Sequence, residues 1–211
     1  DIPVNKISYI NKDLFVELNL ATQKNLELIE NPRERGSHGT LLWVLDQCKT
    51  SMGSRKLKEF IKNPLVNKEE ILHRQSHVEY FMDEIIIREE IKDKLKEVYD
   101  IERLIGKIIL GTENGRDLIA LKKSLSSSLG IGNILGEKIV KIDRNLLCEI
   151  YEKIEKTIVE EPPFSVREGG MIKEGIDNEL DELHNISRTG KDFILDIENK
   201  EKERTGIKTL K

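Results

Sequence analysis

The sequence predicts an all-α fold: an irregular multi-helix body carrying a long helix at its C-terminal end. Three observations lead there. Apolar residues recur at helical spacing along most of the chain, as at Leu118, Leu121, Leu125 and Leu129. Polar residues suited to capping stand just ahead of these stripes, among them Thr40, Thr50, Asn67 and Asp143. Charged residues make up 35% of the chain and aromatic residues only 5%, a mix that fits extended helices better than a compact aromatic core.

Taken in order, residues 1–12 carry little pattern, and Leu14, Val16 and Leu18 alternate as in a short strand or extended segment. A helix is expected from Thr22 to about Glu30, followed by a polar loop over residues 31–39. That loop holds Arg33, Arg35 and His38, a set that can bind an anion or simply face water. Thr40 caps a short helix with Leu41, Leu42 and Leu45 on one face. Trp43, the single tryptophan, is expected to be partly buried in that helix pair. Thr50 caps the next helix, in which Gly53, Leu57, Phe60 and Ile61 share a face and Pro64 marks the stop. A glycine on an apolar face costs about 1 kcal/mol against alanine, and is tolerable where another backbone approaches closely.

Asn67 and Glu70 have capping-box spacing, and the helix they open carries Ile71, Leu72, Val78, Phe81 and Met82. After a break near Asp83 the stripe resumes at Ile87, Ile91, Leu95 and Val98. Ile101, Leu104, Ile105 and Ile108 make another helix ending at Gly111, and Thr112 or Asn114 caps the one after it. Residues 126–136 (SSSLGIGNILG) read as a loop with a short turn of helix. Asp143 caps a helix bearing Leu146, Ile150, Ile154 and Ile158, ended by Pro162 and Pro163, and residues 164–174 read as an extended crossing segment.

The last helix has a 4,3 spacing of Ile176, Leu180, Leu183, Ile194 and Ile197, with Ser187 and Gly190 on the same seam. Some 30 residues give a rod of roughly 45 Å, longer than a small domain is wide. Such a seam needs a partner, and a returning helix is the expected one. Residues 173–201 carry four basic against nine acidic side chains, whereas residues 202–211 carry four basic against one acidic. Two readings of that basic end stand side by side. Arg204, Lys208 and Lys211 can contact DNA phosphates, or the cations simply complement the helix dipole.

The net charge of −4 argues against general nucleic-acid affinity over the surface. Cys48 and Cys148 stand far apart, which points to a reducing compartment and to neither a disulfide framework nor a zinc site. No signal peptide is visible and no apolar run approaches the roughly 20 residues of a membrane helix, so a soluble cytoplasmic protein is expected. His73 and His77 have the i, i+4 spacing of a two-ligand metal face but no obvious third ligand. The glycines Gly130, Gly132 and Gly136 before Lys138 fail the spacing of a phosphate loop. Glu89 and Glu90 fit a solvated helix face, His38 and His184 fit surface or packing positions, and no serine has a visible base and acid. No catalytic, cofactor-binding or metal residue is therefore assigned.

The ordered set Thr22-Gln-Lys-Asn25-Leu26-Glu27-Leu28, Gly39-Thr40-Leu41-Leu42, Leu45-Asp46, Thr50-Ser-Met52-Gly53-Ser-Arg55 and Pro64-Leu65 resembles the core domain of the MutS family. The likeness continues through Asp100-Ile-Glu-Arg103-Leu104, Arg116-Asp117-Leu118 and Gly175-Ile-Asp177-Asn-Glu-Leu180-Asp181, and closes with Glu203-Arg204-Thr205-Gly206-Ile207. The departures are small: Ile176 where an aromatic is usual, Gly115 where a proline often stands, and the polar Gln75 and Ser76.

That family comprises bacterial DNA mismatch-recognition ATPases. The resemblance implies that residues 1–172 are the first part of the core and residues 173–211 the outgoing lever toward a DNA-gripping clamp. It implies a middle piece of a longer protein, with no enzyme activity of its own. In the whole protein it implies mismatched duplex DNA, a second MutS copy and a MutL-type protein as partners, and ATP with Mg as cofactors. An autonomous helical interaction or adaptor domain is the alternative from another class.

Overall fold

The computed structural model describes residues 14–206 apart from Glu34, Arg35 and Lys138, together with their side chains except those of Arg188 and Lys191. The readings made above for residues 1–12, Arg35, Lys138, Ile207, Lys208 and Lys211 lie outside the described residues. The helices are α1 Leu20–Asn25, α2 Leu41–Leu45, α3 Ser51–Lys62, α4 Lys68–Asp83, α5 Ile85–Lys96, α6 Ile101–Leu110, α7 Gly115–Leu135, α8 Arg144–Thr157 and α9 Asn178–Thr205. Among the described residues there is no strand, only isolated antiparallel bridges such as Phe15 with Leu65, so the fold is all-α as the sequence predicts.

Local chemistry sets most helix starts. Thr40, Thr50, Asn67 and Asp143 each accept a hydrogen bond from a backbone N–H in the first turn of α2, α3, α4 and α8. Asn67 does so without a return bond from Glu70, so that cap works in one direction only. Of the two cap candidates for α7 the structure takes Asn114, whose side chain and that of Asp117 each bond the other's backbone N–H. Gly111 ends α6 in the left-handed region at φ +64°, where a side chain would be strained.

Two helical predictions need correcting. The first helix starts earlier and ends sooner than the predicted Thr22 to Glu30. Asn19 caps it, and the chain turns out of it at Glu27. The carbonyls of Glu27 and Leu28 are thereby freed to accept the first N–H groups of α2, from Leu41 at 3.1 Å and Leu42 at 2.9 Å. Those donors have no partner inside their own helix, and satisfying them outweighs extending α1.

The second correction is larger. The predicted loop over 126–136 is helix: α7 runs unbroken for 21 residues to Leu135. The hydroxyls of Ser124, Ser127 and Ser128 are engaged. Ser128 bonds back to the Ser124 carbonyl at 2.7 Å, and Ser127 reaches Glu97 at 2.9 Å. Its glycines admit neighbours. A Cβ on Gly132 would sit 2.7 Å from the Ile142 side chain. Smallness here serves close packing, not a turn.

Smaller differences follow the same logic. The α5 stripe ends at Lys96, leaving Val98 beyond the helix, and Ile176 precedes the Asp177 cap of α9. The extended crossing over 164–174 contains one 3₁₀ turn, Val166–Glu168, closed by Ser165 and Glu168 bonding each other's backbone. Against Gly53 the close approach comes from the side chains of Cys48 and Thr50, 3.3 and 3.1 Å from a built Cβ, and not from another backbone.

The core is centred on α7, which packs against α5, α6 and α8. Leu104, Leu121, Leu125, Ile154 and Ile158 form its buried cluster, with Ile101, Ile108, Leu118 and Leu147 packed around it. Ser124, fully buried in α7, accepts from the Tyr99 N–H at 2.9 Å and donates to the Ala120 carbonyl at 2.8 Å. This core is small for the chain. The molecule exposes 16735 Å², against roughly 10,000 Å² for a compact monomer of its mass. Much apolar side-chain surface therefore faces outward, most of all on α9.

Candidate functional site: an ionic joint and an unpartnered rod

Two stretches far apart in the sequence, Thr50 to Arg55 and Asp100 to Arg103, meet in space. Arg55 on α3 grips Asp100 at the start of α6 with two bonds, Nη1 to Oδ2 at 2.7 Å and Nη2 to Oδ1 at 2.9 Å, and also pairs with Glu102. Ser51 donates to the same carboxylate at 2.9 Å, and the Arg103 backbone N–H at 3.3 Å. Asp100 thus caps α6 and anchors α3 at once. The Arg55 guanidinium holds the Asp100 carboxyl well below the usual carboxylate range, despite partial desolvation, and is itself pushed up in return. Nothing in the sequence pairs residues 45 positions apart. Only the capping position of Asp100 has a local signature.

Glu89, Asp93 and Glu155 are likewise held low, each chiefly by a bonded lysine: Lys92, Lys96 and Lys122. General-acid chemistry requires a carboxyl pushed the other way. The first two pairs brace α5 along its own surface, and Lys122 with Glu155 ties α7 to α8.

The rod is clamped at its base. Ile158 and Ile172 form an antiparallel bridge, the Val159 N–H reaches the Met171 carbonyl at 3.0 Å, and the Lys173 N–H reaches the Thr157 carbonyl at 2.8 Å. Asp177 then caps α9 through the Leu180 N–H at 3.0 Å. From there α9 runs 28 residues to Gly206, about 42 Å. None of α1–α8 packs broadly against it. Its seam is open: Leu183 is 56% exposed, Ile194 64% and Ile197 46%, and beside them Ile186 and Phe193 are 61% and 65% exposed.

Of the three phosphate candidates at the basic end, Arg204 is described. Its side chain is exposed and bonds Glu201 one turn earlier, Nε to Oε2 at 3.0 Å. Lys202 pairs in the same way with Glu198. Lys208 and Lys211 lie outside the described residues, so the structure does not bring the three together.

His73 and His77 stack edge to face, their ring centroids 4.5 Å apart, and no cluster of three metal-ligating side chains occurs among the described residues. Trp43 is half exposed, its ring 4.6 Å from that of His38. No helix among the described residues is long and apolar enough to cross a membrane.

Comparison with known proteins agrees with this architecture. A family model described as MutS domain III matches residues 21–207. The chain is 52% identical to the DNA mismatch repair protein MutS of Fusobacterium nucleatum, over 100% of this chain and 24% of that protein. It is 45% identical to the protein of that name from Acetivibrio thermocellus, over 93% of this chain and 23% of the relative. For the one from Halalkalibacterium halodurans the identity is 42%, over 97% of this chain and 24% of the relative. The chain spans about a quarter of the length of these curated relatives. A helical body with an open rod, matched over nearly its whole length by that model, belongs to the MutS domain III family.

Proposed function

We propose that this chain is the core and outgoing lever of a DNA mismatch repair protein, linking the parts that hold DNA to the part that hydrolyses ATP. Residues 1–172 form the first part of the core, and residues 173–211 the lever that runs to a clamp. The chain itself supplies no catalytic group. ATP and Mg act elsewhere in the whole protein, and its partners are mismatched duplex DNA, a second copy of that protein and a MutL-type protein.

The observation that carries this reading is α9: a rod clamped only at its base, with an exposed apolar seam along its length. Each large aliphatic side chain left in water forgoes about 1.5–3 kcal/mol of burial. A surface of that kind is maintained where another helix covers it. A stiff, capped rod joined to a cross-braced body can pass rigid-body rotation from one end to the other.

The test is Gly190→Pro in the full-length protein carrying this segment, with Gly190→Ala as control. Gly190 has open space around it, so alanine meets nothing, while proline in a helix interior costs about 3 kcal/mol and kinks it. Mismatch-dependent ADP release is expected to slow about tenfold or more in the proline variant, a barrier change of about 1.4 kcal/mol. The alanine control is expected to behave as wild type. Unchanged coupling in Gly190→Pro overturns the lever role.

A further inference from the structure

We propose that His73 and His77 hold one divalent transition-metal ion, of the nickel, copper or zinc class, between them on the surface of α4. The proposal does not rest on the core-and-lever reading. Both ligands lie on one helix of this chain, and their spacing is the same whatever longer protein carries it.

Helix geometry makes the pair. Residues four apart on a helix stand one above the other, with their Cβ atoms about 5–6 Å apart. In α4 the two rings meet at 4.5 Å between centroids, with 66° between their planes. An ion about 2.0–2.1 Å from one nitrogen of each ring, with its two bonds at about 90°, places the ring centres about 4.5 Å apart. Edge-to-face contact alone also holds rings at such a distance. The consequence is that both imidazoles reach a common ion by turning in place, with no movement of the helix.

The surroundings agree. His73 is exposed and His77 half-buried, so the pair is open to an ion arriving from solvent. Lys68, Glu69 and Glu70 open α4 with a net negative charge just ahead of His73. Glu69, His73 and His77 fall in one row at four-residue spacing. Arg74, the cation next to His73, has its guanidinium over the Phe60 ring of α3 at 3.7 Å, so its charge is drawn toward that helix. No third His, Cys, Asp or Glu is gathered with the two rings among the described residues. Two protein ligands leave the other positions to water, which makes the ion exchangeable and not a condition of folding. Imidazole ligands suit nickel, copper and zinc, whereas magnesium and calcium take oxygen ligands.

Titration calorimetry of the 211-residue chain with Ni²⁺ near neutral pH, on protein made without a histidine tag, tests this. One equivalent is expected to bind, with a dissociation constant below about 1 mM. His73→Ala and His77→Ala are each expected to weaken binding about tenfold or more. Gln75→His combined with His77→Ala keeps the total of four histidines but sets the pair two apart, where side chains do not face each other. That spacing variant is expected to bind as weakly as the single variants. Far-UV circular dichroism checks that every variant keeps the wild-type helix content.

Cu²⁺ gives a second readout. It is expected to bind more tightly than Ni²⁺, and Mg²⁺ is expected not to compete with either. At one equivalent, the Cu²⁺ electron paramagnetic resonance signal is expected to carry nitrogen couplings from two imidazoles in wild type and from fewer in His77→Ala. An absence of saturable Ni²⁺ binding below about 1 mM overturns the proposal. So does a spacing variant that binds as well as wild type, or binding that both single variants leave unchanged, which would place the ion at His38, His184 or the N-terminal amine. Any of these leaves the ADP-release test in the full-length protein untouched.

Discussion

Asp100 is the residue on which two helices depend, and its two duties separate by substitution. Asparagine caps a helix as well as aspartate does, so Asp100→Asn keeps the α6 start and loses only the ion pairs, that with Arg55 and the longer one with Arg103. Asp100→Ala loses both, and the missing cap alone costs about 0.5–2 kcal/mol. The pair also has a pH signature. The folded carboxyl titrates below its unfolded value, near 3.9 for a free aspartate. As pH falls, the unfolded chain takes up the proton first. The pair's contribution is therefore full above about pH 5 and is lost as pH falls through about 4 toward the folded value. Thermal melts of wild type and Asp100→Asn are expected to differ by a constant amount from pH 7 to about 5, and to converge below about pH 4. A gap that stays open in acid would show that the charge is not what Asp100 contributes.

Helix starts were legible because a cap is a conversation between neighbours in sequence. Thr40, Thr50, Asn67 and Asp143 all cap where their spacing predicts. The second half of α7 was illegible for the opposite reason. Ser126 to Gly136 have the composition of a loop, and what makes them helical lies elsewhere, in Ile142 against Gly132 and Glu97 against Ser127. Gly115 at the start of α7 shows the same dependence. A Cβ there would sit 2.6 Å from Pro162 Cβ, a rigid ring that cannot withdraw. Pro162 fills the room that a larger residue at position 115 would take. Gly115→Ala is expected to cost about 1–3 kcal/mol, read as a lower midpoint in thermal or urea melts. Gly106→Ala, in α6 with nothing within 4 Å, is expected to gain about 0.5–1 kcal/mol in the same assay. A loss at both positions would place the effect in the backbone and not in the contact with Pro162.

On the scale of the whole molecule, the composition foretold the outline and not the joints. Few aromatics and abundant charge announced long helices over a thin core, and seven large apolar side chains in all are buried among the described residues. The 4,3 seam announced an open rod. The brace between α3 and α6, and the clamp at the base of α9, needed the third dimension. The net charge of −4 and the pairing of Arg204 with Glu201 leave little free positive field for DNA along the rod. Phosphate contact at its end is therefore a proposal for the whole protein alone. Replacing Arg204, Lys208 and Lys211 together by alanine in that protein is expected to lower the salt-dependence slope of duplex DNA binding by about 3, since each phosphate contact contributes about 0.9. A slope unchanged by the triple variant would assign those cations to helix-dipole complementarity instead.

The clamp ahead of α9 also marks where the rod joins the body. Lys173 is tied to Thr157, and the helix begins once Asp177 has capped it, so residues 174–176 are the link between the two. Gly175 sits there at φ +85°, its N–H latched 2.8 Å from Asp181. With an arm of about 42 Å beyond this pivot, a swing of about 10° displaces the far end by about 7 Å. Three residues thus form the joint, and a few degrees of backbone torsion there correspond to several ångströms at the rod's tip.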